Sequence, residues 1–459
     1  MNPFSDLDSQ ITGFVHSNPT LKSDYKLKPI IKSPEPLGFT EIFSLGEIHV
    51  DQHGILTTAD VKIQDNLTKE QDRHSKWALM VHSKLKKGRD SLHIMPEFKF
   101  DFDLKFEERI WKGIPRNWRG HAWADIVTQF SGFYAALSKE QVRWLNMELL
   151  KKYRDLQIAT SSYESAIMGA SKNILPRHVY FQKSSSIESL IRILRALSLY
   201  NCEVGFVYGM HMWVGMLLTL YDEETAFFLA QKLFYHGSTP DSSSFYKIKR
   251  LYLKNDAFMD ENIFIHRKIM EAWYPQIFER MESFEIKTEM YLKFWYHSMF
   301  VGCSSANRPF SKSSQLWPGL LPWSVVLRIW DIFIYYGWDI MPIVSISILQ
   351  YYRDQILQMD PATLAFFLGI EQGKAIEDQL GIPVDGLPTI TNEDKFMNLI
   401  QRHFVKGKKR ILSFLSDSST SGRSSVDSIS SPTDEQQPSD LSRLSGKDIV
   451  HVLRFRFHC

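Results

Sequence analysis

Between about Phe102 and Leu368, leucine, isoleucine, phenylalanine, tryptophan and tyrosine recur at intervals of three and four residues, and alternating runs are few. That periodicity confines the segment to helices, because a strand buries every second side chain and cannot keep a 3.6-residue stripe on one face. The expected fold class is all-α. Three helices are well marked. In one, Ser185 and Glu188 have capping-box spacing, with Ile187, Leu190, Ile191, Leu194 and Leu197 following at helical intervals. A second begins near Asp222 and is expected to bury Ala226, Leu229, Ala230 and Leu233. A third runs from about Ser324 through VVLRIWDIFIYY and is expected to stop at Gly337, which suits a left-handed C-terminal position.

The 459 residues allow two or three domains, or one large helical region with tails. With 54 Lys and Arg against 52 Asp and Glu, the net charge of +2 creates no field for nucleic acid or an anionic membrane. Partners must be found through local surface. Cys202, Cys303 and Cys459 have spacings that suit neither a disulfide framework nor a zinc site, which points to a reducing, intracellular compartment. The N-terminal MNPFSDLDSQITGFVHSNPT lacks the basic and apolar segments of a signal peptide. The longest apolar runs, Met212–Tyr221 and Ile332–Trp338, fall short of the roughly 20 residues of a spanning helix, so no transmembrane segment is expected. Neither a CaaX box nor a glycine after Met1 encodes a lipid anchor. No metal-ligand spacing and no Gly-x-x-x-x-Gly-Lys loop occurs, so neither a metal, a cofactor nor a nucleotide of the chain's own is expected.

Along the chain, residues 1–40 read as a flexible segment and 41–104 as a lead-in that packs on the main helical domain, 105–370. A helical extension is expected over 371–415, a Ser-rich disordered segment over 416–446 and a short tail over 447–459. The basic VKGKKR reads as a solvated helix face, with contact to phospholipid as the alternative. CSSANRPFSKSSQLWPG reads as a loop in which Phe310 and Trp317 either anchor a partner or fold back onto the helices.

Three segments, in order, resemble the TBC domain of Rab-type GTPase-activating proteins. KGIPRNWRGHAW is similar to the opening Gly-Ile-Pro and Arg-x-x-x-Trp, with Arg119 and Trp123 in those places. EVGFVYGMHMWVGMLL is similar to Gly-Tyr-x-Gln-Gly-Met, with Gly209 retained. LPWSVVLRIWDIFIYYG resembles Leu-Pro followed by Arg-Ile-Trp-Asp, here Arg328, Ile329, Trp330 and Asp331. VDQHGIL and Arg73–Trp77 resemble the family's lead-in, so the likeness covers about Phe39 to Leu368. As residues alone, the tryptophans are helix-packing groups, and Arg119, Arg328 and Asp331 are expected to form buried ion pairs or helix caps.

The resemblance implies a multi-helix TBC domain, a GTP-bound Rab-type GTPase as partner, and two groups inserted into that partner's active site. These are an arginine from Ile-x-x-Asp-x-x-Arg and a glutamine from Tyr-x-Gln-Gly. The glutamine position carries Tyr208, whose single hydroxyl cannot reproduce the amide's donor and acceptor; it either meets a partner by stacking or packs in the core. In ESAIMGASKNILPRHVYF the ungapped match gives Ile167, Ala170 in the aspartate place and Asn173 in the arginine place. The interval agrees: 208 − 173 is 35 residues, the family's usual separation, whereas Arg177 lies 31 away (208 − 177). A neutral amide cannot offset growing phosphate charge as a guanidinium does.

Three readings follow. The lead is a Rab-binding regulator in membrane traffic with weak or no activity as a GTPase activator in trans, cytoplasmic and peripheral to endomembranes. The second is an active GTPase-activating protein in which Arg177 serves as a displaced finger. The third is a helical scaffold that no longer binds GTPases.

Overall fold

The structure is a computed structural model that describes residues 49–51, 53–57, 63–84, 98–130, 139–234, 246–307, 319–370 and 387–420. The 1–40 segment, Phe310, Trp317 and the chain beyond residue 420 lie outside the described residues.

The lead-in begins with a turn that its aspartate ties. The Asp51 carboxylate accepts the N–H groups of His53 and Ile55, both at 2.8 Å, and Gly54 takes φ 86°. This joins β1 (His49–Val50) to β2 (Leu56–Thr57), antiparallel. Next come α1 (Ile63–Ala78) and the antiparallel pair β3 (Val81–Lys84) and β4 (Phe98–Phe100). In β4 both phenylalanines are buried and Lys99 is exposed, a run too short for its alternation to register in the sequence. The all-helical expectation therefore holds for the main body, while short strands occur in the lead-in.

The body is helical: α2 (Leu104–Ile110), α3 (Arg116–Phe130), α4 (Lys139–Leu156), α5 (Glu164–Ser171), α6 (Ser184–Tyr200), α7 (Met210–Leu218) and α8 (Glu223–Phe234). Then follow α9 (Phe258–Trp273), α10 (Pro275–Ser283), α11 (Thr288–His297), α12 (Trp323–Tyr336), α13 (Ile340–Tyr351), α14 (Arg353–Ile356), α15 (Pro361–Leu368) and α16 (Glu393–Thr420). Every residue of α7 is buried, which makes it the helix around which the others are laid. Trp330 of α12 stacks on Trp123 of α3 at 5.7 Å and on Trp213 of α7 at 6.4 Å, tying three distant segments through large apolar surfaces.

Helix ends differ in part from the sequence reading. α6 starts at Ser184 with Lys183 as its N-cap and no side-chain cap bond, so Ser185 lies inside the first turn and the capping box is not formed. Leu190, Leu194 and Leu197 are buried as their spacing predicts. In α8 Ala226, Leu229, Ala230 and Leu233 are buried, and Asp222 accepts the Thr225 N–H at 2.9 Å. Helix α12 ends at Gly337, but with φ 72° and ψ −158°, an extended conformation open to glycine rather than the left-handed helical one.

The stretch Trp323–Tyr351, α12 and α13 joined by a short 3-10 turn, is long and apolar enough to cross a membrane by length and composition. The sequence reading counted only uninterrupted apolar runs and did not single this stretch out. Of its most apolar window 72% is buried within the protein, so packing against other helices accounts for the composition. Phe396, Met397, Ile400 and Phe404 of α16 are buried, with Phe404 beside Trp111 and Tyr336. Its helical backbone continues to Thr420, into the segment read as disordered from Ser416.

Candidate functional site

The family-like motif residues divide into a buried frame and an exposed rim. The frame centres on Asp331, fully buried on α12. Its carboxylate accepts the Ile114 N–H at 2.8 Å, the Trp123 indole N–H at 2.9 Å and two guanidinium bonds from Arg119 at 2.9 and 3.2 Å. Four donors around one carboxylate satisfy its acceptor sites and offset its desolvation. Arg328, one helical turn earlier, does not join this group. It donates to the Trp111 carbonyl at 3.1 Å and to Asp394 at 2.9 Å, and so holds the start of α16 against the α2–α3 connection. Gly113, at φ 90°, lies where a Cβ would come within 3.2 Å of the Arg328 stem. These residues are structural, as their burial dictates.

The rim is built from α5 and the turn before α7. Ile167 points into the core with no exposed surface, while Asn173, in the turn two residues beyond the helix end, is exposed. Glu164 in the first turn of α5 is paired with Arg195 of α6, which holds its carboxyl below the ordinary value. Ile174 then packs at Gly215 of α7, where a Cβ would come within 3.1 Å of it. Tyr208 stands two residues before α7 and is 51% exposed, which rules out the core-packing role. Its ring lies 4.8 Å from that of His211, and partial burial raises its phenol pKa. Neither the Tyr208 hydroxyl nor the Asn173 amide has a hydrogen-bond partner among the described residues. Both residues are exposed.

Gly209 shows why the turn has its sequence. It takes φ 110°, and a Cβ there would lie 2.6 Å from the His297 carbonyl carbon, so only glycine lets the turn pass the end of α11. His211, buried at the start of α7, accepts the Gly209 N–H at 3.4 Å, and burial pushes its pKa down to about 4.

Arg177 faces elsewhere. It is 7% exposed, and its guanidinium donates to the Leu56 carbonyl of the lead-in at 3.2 Å. Its backbone is held on both sides: the N–H donates to the Ala306 carbonyl at 3.2 Å and the carbonyl accepts from Leu56 at 2.9 Å. Burial lowers its pKa, and the nearby Asp51 partly offsets that. Moving this side chain to the rim would empty a buried site and break backbone bonds as well.

Two features escaped the sequence reading. Tyr163, just before α5, lies over Gly205, which at φ 64° leaves no room for a Cβ beneath the ring. The lead-in turn also pairs with residues 177–179. The Asp-x-His-Gly string signals a tight turn, but nothing local names its partner.

Residues 116–357 match the RabGAP-TBC family, the Rab-GTPase-TBC domain. Human TBC1 domain family member 1 is 25% identical over 264 residues, 57% of this chain and 20% of that protein. The human ecotropic viral integration site 5 protein homolog is 24% identical over 260 residues, 56% of this chain and 27% of its own length. The chain thus spans only a fifth to about a quarter of these relatives. The crystal structure of the Chlamydomonas flagellar RabGAP TBC domain superposes with a TM-score of 0.50 at 19% identity, covering 78% of this chain and 99% of that one; at that identity it speaks for the fold alone. The match begins at the helix of the Arg119–Trp123 motif, runs past Asp331 and covers more than half of the chain, which therefore belongs to the Rab-GTPase-TBC domain family.

Proposed function

We propose that the chain binds a GTP-loaded Rab-type small GTPase through the face that carries Asn173 and Tyr208, and adds little or no catalysis. It acts as a regulator in membrane traffic, cytoplasmic and peripheral to an endomembrane. The observation that carries this reading is the rim itself: both exposed side chains at the finger positions are uncharged, and the neighbouring arginine is buried against Leu56.

Hydrolysis of GTP is accelerated when a cation meets the charge that grows on the phosphate oxygens and an amide orients the attacking water. Asn173 brings no charge, and Ala170 offers no carboxylate to orient a guanidinium. Tyr208 presents one hydroxyl on a rigid ring. Binding engages a broad surface while catalysis depends on two side chains, so the first survives loss of the second.

The test is single-turnover GTP hydrolysis across a panel of Rab proteins, with binding measured to the GTP-analogue form and to the GDP–aluminium fluoride form. The expected result is binding to at least one member, no faster hydrolysis, and no tightening with aluminium fluoride, because tightening depends on a cation at the phosphate. Acceleration that disappears in Arg177→Ala would overturn the proposal in favour of a displaced finger. Failure to bind any member would leave a helical scaffold.

A further inference from the structure

We infer that the lead-in turn Asp51–Leu56 is part of the partner-binding site, as a clamp that sets the path of residues 173–179, and that Gly54 and Arg177 are its positioning residues. The inference rests on the proposed Rab-binding face and extends it upstream of the family match at residue 116.

The contacts are specific and mostly main-chain. Leu56 N–H donates to the Arg177 carbonyl at 2.9 Å, and Val179 N–H donates to the Gly54 carbonyl at 3.0 Å, with Ile55 and His178 paired antiparallel between them. The turn thus makes one antiparallel bridge to a segment that otherwise lies outside any strand. Side chains reinforce it from both directions. Arg177 donates to the Leu56 carbonyl at 3.2 Å, and the His178 Nε2 lies 3.1 Å from the His53 carbonyl. His178 Nδ1 accepts the Tyr180 N–H at 3.1 Å, which leaves Nε2 as the protonated donor to His53.

The fit is close at Gly54. It takes φ 86°, and a Cβ would lie 2.9 Å from His178 Nε2 and 3.3 Å from Val179, so a side chain there cannot coexist with the docked turn. Four residues before Arg177 the same segment carries Asn173, and between them Leu175 is held at φ 41°, a conformation a leucine keeps only under outside constraint. The clamp supplies that constraint on one side and Ala306 supplies it on the other. Arg177 is therefore retained for the clamp, and its proximity to the finger position is a consequence of chain path.

The experiment uses the full chain. Gly54→Val drives the turn off, Arg177→Met removes the guanidinium's bond to Leu56 together with its charge near Asp51, and Arg177→Lys keeps a cationic donor. Amide exchange is followed over residues 173–181 and over α12, alongside affinity for a panel of Rab proteins loaded with a GTP analogue. Gly54→Val is expected to speed exchange over 173–181 and weaken binding, each about tenfold or more, with α12 unchanged. Arg177→Met falls between it and the wild type, and Arg177→Lys restores most of the affinity. Unchanged protection of 173–181 in Gly54→Val overturns the clamp, and faster exchange with intact binding overturns its place in the site. Should Gly54→Val also loosen α12, the decision passes to Arg177→Met against Arg177→Lys, which differ in the cationic donor at the turn; equal protection and affinity in that pair overturns the inference. If the wild-type chain binds no Rab protein, the proposed function and the clamp's place in the binding site both fail, while the exchange arm shows separately whether the turn holds 173–181.

Discussion

Asp331 and Asn173 carry opposite lessons about what a charged or polar side chain does in this protein. Asp331 is buried and accepts four hydrogen bonds, so removing its charge leaves Arg119 buried without a counter-ion. Asp331→Ala should destabilise the fold by roughly 3–5 kcal/mol, as broken buried ion pairs do. Denaturant titration checks this, and a loss below about 1 kcal/mol would mean the group is not held as described. Asn173 and Tyr208 are exposed and can be exchanged cheaply. Asn173→Arg with Tyr208→Gln should raise the rate at which a bound Rab protein hydrolyses GTP above that with the wild-type chain, with Ala170→Asp added to orient the new guanidinium. In the otherwise wild-type chain Arg177→Ala should leave the Rab protein's own slow hydrolysis unchanged, because there is no acceleration for it to remove. If the restored pair gives no gain despite intact binding, the loss of activity involves more than side chains at those two positions.

At the scale of elements, α16 closes the C-terminal half. Ile390, Phe396, Met397, Ile400 and Phe404 are buried, and each removes apolar surface from water that contributes about 1.5–3 kcal/mol. Polar contacts fix its register: Arg328 holds Asp394 at 2.9 Å, and His403 lies 2.8 Å from Ser347 and 3.0 Å from Tyr274. Ending the chain before residue 387 should therefore lower the melting temperature by many degrees and raise dye binding to apolar surface, because Trp111 and Tyr336 lose their cover. A truncated chain that melts with the full-length one would show that α16 contributes little in solution.

Across the whole molecule, stability should depend on pH through buried bases. Burial lowers the pKa of His178 and His266 to about 3 and of His211 to about 4. Their folded-state values lie below the unfolded 6.5, so on acidification the unfolded chain takes up protons first and stability is lost from about pH 6.5 downward. Lys232, packed beside Asp125 and bonded to Thr128 at 2.8 Å, is lowered to about 7 by burial. The unfolded chain binds more protons there between about pH 7 and 10.5, so stability should rise from pH 7 toward 9. Buried tyrosines reverse the trend above about pH 10, since their raised values keep the folded chain protonated longer. Thermal melts from pH 4 to 9.5 would test this; a curve flat between pH 6.5 and 5 contradicts the histidine part, and an alkaline arm that persists in Lys232→Met contradicts the lysine part.

By itself the sequence determined the helical body and the family, and it is the source of the two proposed finger positions. Apolar residues every three or four positions fix helix phase, three motifs in order carry the family likeness, and matching the chain to those motifs is what proposes Asn173 and Tyr208 as the finger places. Exposure of Tyr208, the fate of Arg177, the partner of Arg328 and the strands of the lead-in were decided only in the tertiary structure. Each depends on a segment distant in the chain: Leu56 lies 121 residues from Arg177, and Asp394 lies 66 from Arg328. A helix phase is a property of neighbours along the chain, whereas the partner of a buried charge is set by which segments packing brings together, and no local pattern encodes that choice.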